Sequence, residues 1–171
     1  MKMSDERMIA ADRATVWAGL LDPEVLCAAV PGCQEMTGSP DQGYQATVVQ
    51  RVGPVKATFK GAIILSDITP GESLTITGEG KGGAAGFAKG GATVRLEDAE
   101  DGTRLIYHAE ARVGGKLAQL GGRIIDGFAK KMADRFFAQF QEIVEGEGEE
   151  VEDGAEESEK KKGWLKRLIK S

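Results

Sequence analysis

The sequence predicts an α+β domain: a curved antiparallel sheet wrapped around a long C-terminal helix, with two short helices after the first strand and an internal apolar cavity. Three observations lead there. Between Tyr44 and Val113 apolar and polar residues alternate with a period of two, in runs separated by Gly and Pro. From Lys116 to Val144 the apolar period changes to three or four. Two short helical patterns precede the alternating runs. Period two marks strands with one buried face, and the longer period marks a helix with one apolar stripe. A helix laid across one face of an antiparallel sheet buries both.

The elements follow in order. Asp12 suits the N-cap of a helix over Arg13 to Leu21, with Val16, Trp17, Leu20 and Leu21 on its apolar face. Asp22-Pro23 ends it, and Pro23 then fits the first turn of a second helix reaching Ala29. Tyr44, Ala46 and Val48 begin the strands. Gly53-Pro54 and Pro70-Gly71 are turns on either side of the run Val55, Ala57, Phe59, Gly61, Ile63 and Leu65. Leu74 and Ile76, then Val94 and Leu96, then Leu105, Tyr107, Ala109, Ala111 and Val113 continue the inward faces. The stripe Leu117, Leu120, Ile124, Phe128, Met132, Phe136, Phe140 and Ile143 predicts one long helix from Lys116 to Val144.

The chain has 171 residues, 41% of them hydrophobic, which suits one domain plus appendages. Charge divides it into three parts. Residues 1–144 are nearly balanced. Residues 145–159 hold nine acidic residues and no basic one, and read as a disordered, self-repelling linker. Residues 160–171 hold six basic residues and no acidic one. Wound as a helix, this last segment places Trp164, Leu165, Leu168 and Ile169 on one side and Lys166, Arg167 and Lys170 on the other, with Lys161 and Lys162 just before. Those residues suit a segment lying on an anionic membrane surface. A solvated basic tail and a helix that docks on a partner protein are the alternatives. No signal peptide and no transmembrane stretch is evident, so a cytoplasmic chain, peripheral on the inner face of the cell membrane, is expected.

The 24 glycines are unevenly placed, and Gly78 and Gly80 continue the inward register of Leu74 and Ile76. Missing side chains there would leave room between sheet and helix. The expected ligand-binding residues are Phe59, Ile63, Ile76, Gly78, Gly80, Val94, Leu120, Ile124 and Phe128, an apolar set suited to a hydrophobic small molecule. The alternative is that these glycines only let the sheet curve. Gly114, Gly115, Gly121, Gly122 and Gly127 crowd the start of the long helix. Either that helix packs close to the sheet there, or its start moves to open the cavity, and close packing is favoured.

Catalytic chemistry is not apparent. His108, the one histidine, falls on an outward register. Cys27 and Cys33 match no metal spacing and make no disulfide framework; they read as a small buried hydrophobe and a strand residue. Gly78-Glu79-Gly80-Lys81-Gly82-Gly83 fits a dinucleotide fingerprint formally, but no helix follows it. The acidic block opposes a nucleic-acid role.

Ala28-Ala29-Val30-Pro31-Gly32-Cys33, Val52-Gly53-Pro54-Val55, Phe59-Lys60-Gly61 and Gly114-Gly115-Lys116-Leu117-Ala118-Gln119-Leu120-Gly121, running into Phe136-Phe137, together resemble the CoxG family of carbon monoxide dehydrogenase accessory proteins. That family resembles a branch of the helix-grip superfamily of START and birch-pollen-allergen type. The resemblance spans residues 1–144. It implies a non-catalytic accessory protein for a molybdenum-containing carbon monoxide dehydrogenase or a related hydroxylase. It also implies an isoprenoid quinone, menaquinone or ubiquinone, as bound ligand, and anionic membrane lipid as a partner. A recruitment scaffold without ligand and a helix-grip cyclase or hydrolase remain the alternatives.

Overall fold

The structure is a computed structural model and describes residues 1–152. The predicted basic segment and the last part of the predicted linker lie outside the described residues. Seven strands form one antiparallel sheet: β1 (Lys2–Ile9), β2 (Cys33–Ser39), β3 (Gly43–Val52), β4 (Val55–Thr69), β5 (Ser73–Lys81), β6 (Phe87–Ala99) and β7 (Gly102–Gly114). Their order in the sheet is β1-β7-β6-β5-β4-β3-β2. Only one connection leaves the meander, from β1 to β2 at the opposite edge. Helices α1 (Arg13–Leu21) and α2 (Pro23–Ala29) make that crossing.

Local chemistry explains these helices. The Asp12 carboxylate accepts a hydrogen bond from the Thr15 amide at 2.8 Å and caps α1. Asp22 does the same for the Glu24 amide at 2.9 Å, with Pro23 in the first turn of α2. Gly19 brings α1 against the long helix: a Cβ added there would lie 2.8 Å from Val144 Cγ1.

Cys27 and Cys33 are bonded as a disulfide, contrary to their expected roles as separate apolar residues. The chain turns back between α2 and β2, which brings their Cα atoms to 5.3 Å. The six-residue separation alone gave no sign of that turn.

The predicted long helix is two. A short α3 (Lys116–Gln119) precedes α4 (Gly122–Glu152). Gly121 sits between them with φ +90°, a conformation open mainly to glycine, and the helix restarts after it. The α4 helix continues to Glu152, so the start of the predicted disordered acidic linker is helical. Glu145 takes part in the fold, accepting a hydrogen bond from the Ala10 amide at 3.0 Å. Among the described residues no helix is long and apolar enough to cross a membrane.

The two halves of α4 do different work. Its later half carries Phe137, Phe140, Ile143 and Val144 into a buried cluster with Ile9, Val16, Val25 and Leu105. Phe136 stacks on Phe140 with ring centroids 5.7 Å apart, and Phe137 stacks on Tyr107 at 5.1 Å. Its first half faces the sheet across a gap.

Candidate functional site: an apolar cavity

That gap is a cavity of about 560 Å³ between the concave face of the sheet and the first half of α4. Its size falls in the range of small-molecule sites. The lining is almost wholly carbon. Five of the predicted residues, Phe59, Ile63, Ile76, Val94 and Phe128, line it together.

The other four do not supply lining side chains. Ile124 is 45% exposed, and Ile125 faces the cavity in its place. The break at Gly121 resets the helix, and the inward stripe of α4 runs through Ile125, Ala129, Met132 and Phe136. Ile124 is left on the flank of the first turn. Leu120 falls in the break itself and reaches toward the β3–β4 turn, where its Cδ2 would lie 4.0 Å from a Cβ placed on Gly53. Gly78 and Gly80 sit on the inward face, with ordinary contact distance left for a Cβ, but neither lines the cavity. A Cβ on Gly80 would lie 3.9 Å from Phe59 Cβ, and one on Gly78 would lie 3.6 Å from Ile63 Cγ1.

Alanines account for the void instead. Ala88 and Ala92 on β6, Ala109 and Ala111 on β7, and Ala129 and Ala133 on α4 all line it. Ala92 pairs directly with Ala109 across the two strands, so the floor there is two methyl groups wide. The sequence carries this signal as alanines at inward positions, where glycine drew the attention.

Two of the polar side chains at the cavity are engaged with backbone carbonyls. The Tyr44 hydroxyl donates to the Leu21 carbonyl at 2.7 Å, and burial, then the nearby Asp22, raises its pKa. Gln50 donates to the Pro31 carbonyl. Beside Tyr107, Arg7 lies over the Phe137 ring at 5.0 Å and donates to Asp134 at 2.8 Å. Desolvation alone would lower the Arg7 pKa, but the hydrogen bond to Asp134 and the nearby Tyr107 and Asp5 outweigh it and raise it. His108 is on the convex face, hydrogen-bonded to Ser4 at 2.7 Å.

One end of the cavity lies toward the β3–β4 turn, the 3₁₀ turn Gly83–Ala85 between β5 and β6, and α3. Its lining side chains Val48, Phe59, Ile125 and Phe128 are only half-buried. Solvent therefore reaches the cavity at this end, and Leu20, Leu26 and Val30 of the α1–α2 unit line its other end. Gly114 and Gly115 are closely packed, against the Phe87 ring and Gly86, but Gly121, Gly122 and Gly127 have nothing within 4 Å of an added Cβ, so close packing does not explain those three.

A curved antiparallel sheet around a long C-terminal helix, with an apolar hollow between them, defines a helix-grip protein with an internal apolar site. The family model for the G subunit of carbon monoxide dehydrogenase (CoxG) matches residues 6–145, and the chain belongs to that family. Among solved structures, a conserved protein from Geobacillus kaustophilus is 28% identical, with a TM-score of 0.78 over 84% of this chain and 95% of that one. A putative uncharacterized protein from Rhizobium leguminosarum, 16% identical, has a TM-score of 0.67 over 85% of this chain and 94% of its own. TTHA0849 from Thermus thermophilus, 14% identical, has a TM-score of 0.63 over 84% and 97%. The last two share the fold. A comparison with curated proteins found no match. Family and fold fit an accessory role to carbon monoxide dehydrogenase.

Proposed function

We propose that this protein carries an isoprenoid quinone, menaquinone or ubiquinone, between the cytoplasmic face of the membrane and a molybdenum-containing carbon monoxide dehydrogenase or related hydroxylase. It does so without catalysing a reaction itself. The observation that carries the reading is the cavity: about 560 Å³, carbon-lined and open at one end, in a member of this family. A flat quinone ring on a long branched hydrocarbon chain is carbon over most of its surface and matches such a lining, and burial of that apolar surface would drive uptake at about 25 cal/mol per Å². The lining is almost wholly carbon, so the ligand would be held by shape and burial more than by hydrogen bonds. The basic, one-sided composition of residues 160–171 supports a tether to anionic lipid.

The test is extraction. Protein purified without detergent from a quinone-producing host is extracted with organic solvent, and the extract is analysed by mass spectrometry. A near-stoichiometric isoprenoid quinone is expected. An empty extract, before and after incubation with quinones, would leave a recruitment scaffold as the function and end the carrier reading.

A further inference from the structure

The open end of the cavity is also where the cations of the folded domain gather. Three segments converge there: residues 50–60 around the β3–β4 turn, 79–90 around the 3₁₀ turn, and 110–126 from the end of β7 into α4. Together they carry eight cations, Arg51, Lys56, Lys60, Lys81, Lys89, Arg112, Lys116 and Arg123, against three anions, a net +5. The other residues up to 144 carry eight cations and fifteen anions, a net −7. All eight cations of the open end are exposed. The ion pairs among the described residues use Arg7, Arg13, Arg95 and Arg104, and none uses a cation of the open end.

Apolar side chains stand among these charges. Phe87, at the start of β6, is 42% exposed, and Ile124, in the first turn of α4, is 45% exposed. Pro54 is exposed at the tip of the β3–β4 turn. A large exposed Phe and Ile ringed by unpaired cations match an anionic bilayer surface: charge brings the end to the headgroups, and the apolar tips enter the interface.

We infer that the folded domain docks on anionic membrane lipid with the open end of its cavity against the bilayer. The C-terminal segment is then a second contact and not the only one. Docked this way, a hydrophobic ligand passes between bilayer and cavity without crossing water. The inference gives the carrier reading its route, but its readout is vesicle binding and not ligand content.

The experiment floats the full chain with phosphatidylcholine vesicles, with and without phosphatidylglycerol. Each cation near an anionic leaflet raises binding by roughly fivefold. Lys81→Glu/Lys116→Glu should therefore lower partitioning to phosphatidylglycerol vesicles by roughly 20-fold or more. Lys130→Glu/Lys131→Glu makes the same charge change on the exposed middle of α4, and should cost under roughly threefold because screening removes distant charges. Phe87→Ser/Ile124→Ser should weaken binding by roughly tenfold. A chain ended at Gly146 keeps the whole buried cluster, and should still bind phosphatidylglycerol vesicles and lose that binding with Lys81→Glu/Lys116→Glu. Equal partitioning of the two charge variants, in the full chain and in the shortened one, would overturn the inference. Partitioning that ignores phosphatidylglycerol would also overturn it. A protein that floats as expected but yields no quinone keeps the docking surface and loses the carrier function; quinone without orientation-dependent floating does the reverse.

Discussion

Replacing Ala92 with Phe tests the cavity by the sign of a stability change. Ala92 lies in the middle of β6, paired with Ile76 on β5 and Ala109 on β7, and its methyl group faces the void. The substitution places an aromatic ring where the structure has space. A buried Phe covers about 150–250 Å², and at about 25 cal/mol per Å² its burial is worth about 4–6 kcal/mol before any cost. Loss of rotamer freedom and the open end reduce that, and a gain of about 1–2 kcal/mol remains. In a filled core the same ring would be overpacked and would cost about 1–3 kcal/mol. For a chain of this size, 1 kcal/mol moves Tm by about 2–4 °C. Thermal unfolding of solvent-stripped wild type and Ala92→Phe therefore gives opposite shifts in the two cases. We expect a higher Tm together with quinone uptake reduced by at least about tenfold. A Tm lowered by several degrees with uptake unchanged would refute the void.

Three further outcomes follow from the fold. Gly19→Ala should destabilise by about 1 kcal/mol net, because crowding against Val144 exceeds the gain in helix propensity; with Val144→Ala, chemical denaturation should show coupling of at least about 0.5 kcal/mol, and strict additivity would deny the contact. Cys27→Ser/Cys33→Ser, or reduction by a dithiol, should cost about 2 kcal/mol for so short a loop. Alkylation of the protein in fresh lysate measures how far the bond is closed in the cell, since reducing compartments seldom keep such bonds. Asp12→Ala should cost about 1 kcal/mol through the lost cap. The hydrogen bonds from the Thr15 side chain and amide hold the Asp12 carboxyl below the ordinary aspartate range. With its folded pKa depressed, the contribution of Asp12 is complete above the unfolded pKa and is lost as pH falls through the folded one. Asp12→Asn should keep most of the cap and show no such loss in acid.

Much of this architecture was legible because the responsible signals are local. The bounds of α1 and the start of α2 follow from Asp12 and Asp22-Pro23, whose capping bonds form within three residues. The alternation from Tyr44 to Val113 was enough to name Phe59, Ile63, Ile76 and Val94 as inward, because a strand's two faces cannot be confused once one is apolar. What escaped depends on distance. The Cys27–Cys33 bond requires the reversal between α2 and β2. The helix break at Gly121 requires a positive φ that an apolar stripe does not reveal, and it displaced Ile124 and Leu120 from the lining. The sites left void by alanine are visible only once sheet and helix are set face to face.

A void bounded by alanine has a consequence for divergence. Its volume is held in side chains that are absent and not in a special backbone, so single-residue changes at Ala92, Ala109, Ala111 or Ala133 can redraw the pocket while the strands and α4 stay where they are. Phe140 and Ile143 lie in the packed cluster outside the lining and supply stability there. Selection can then resize the pocket for a longer chain or a broader ring with little effect on folding, and one scaffold can serve a lineage of ligands.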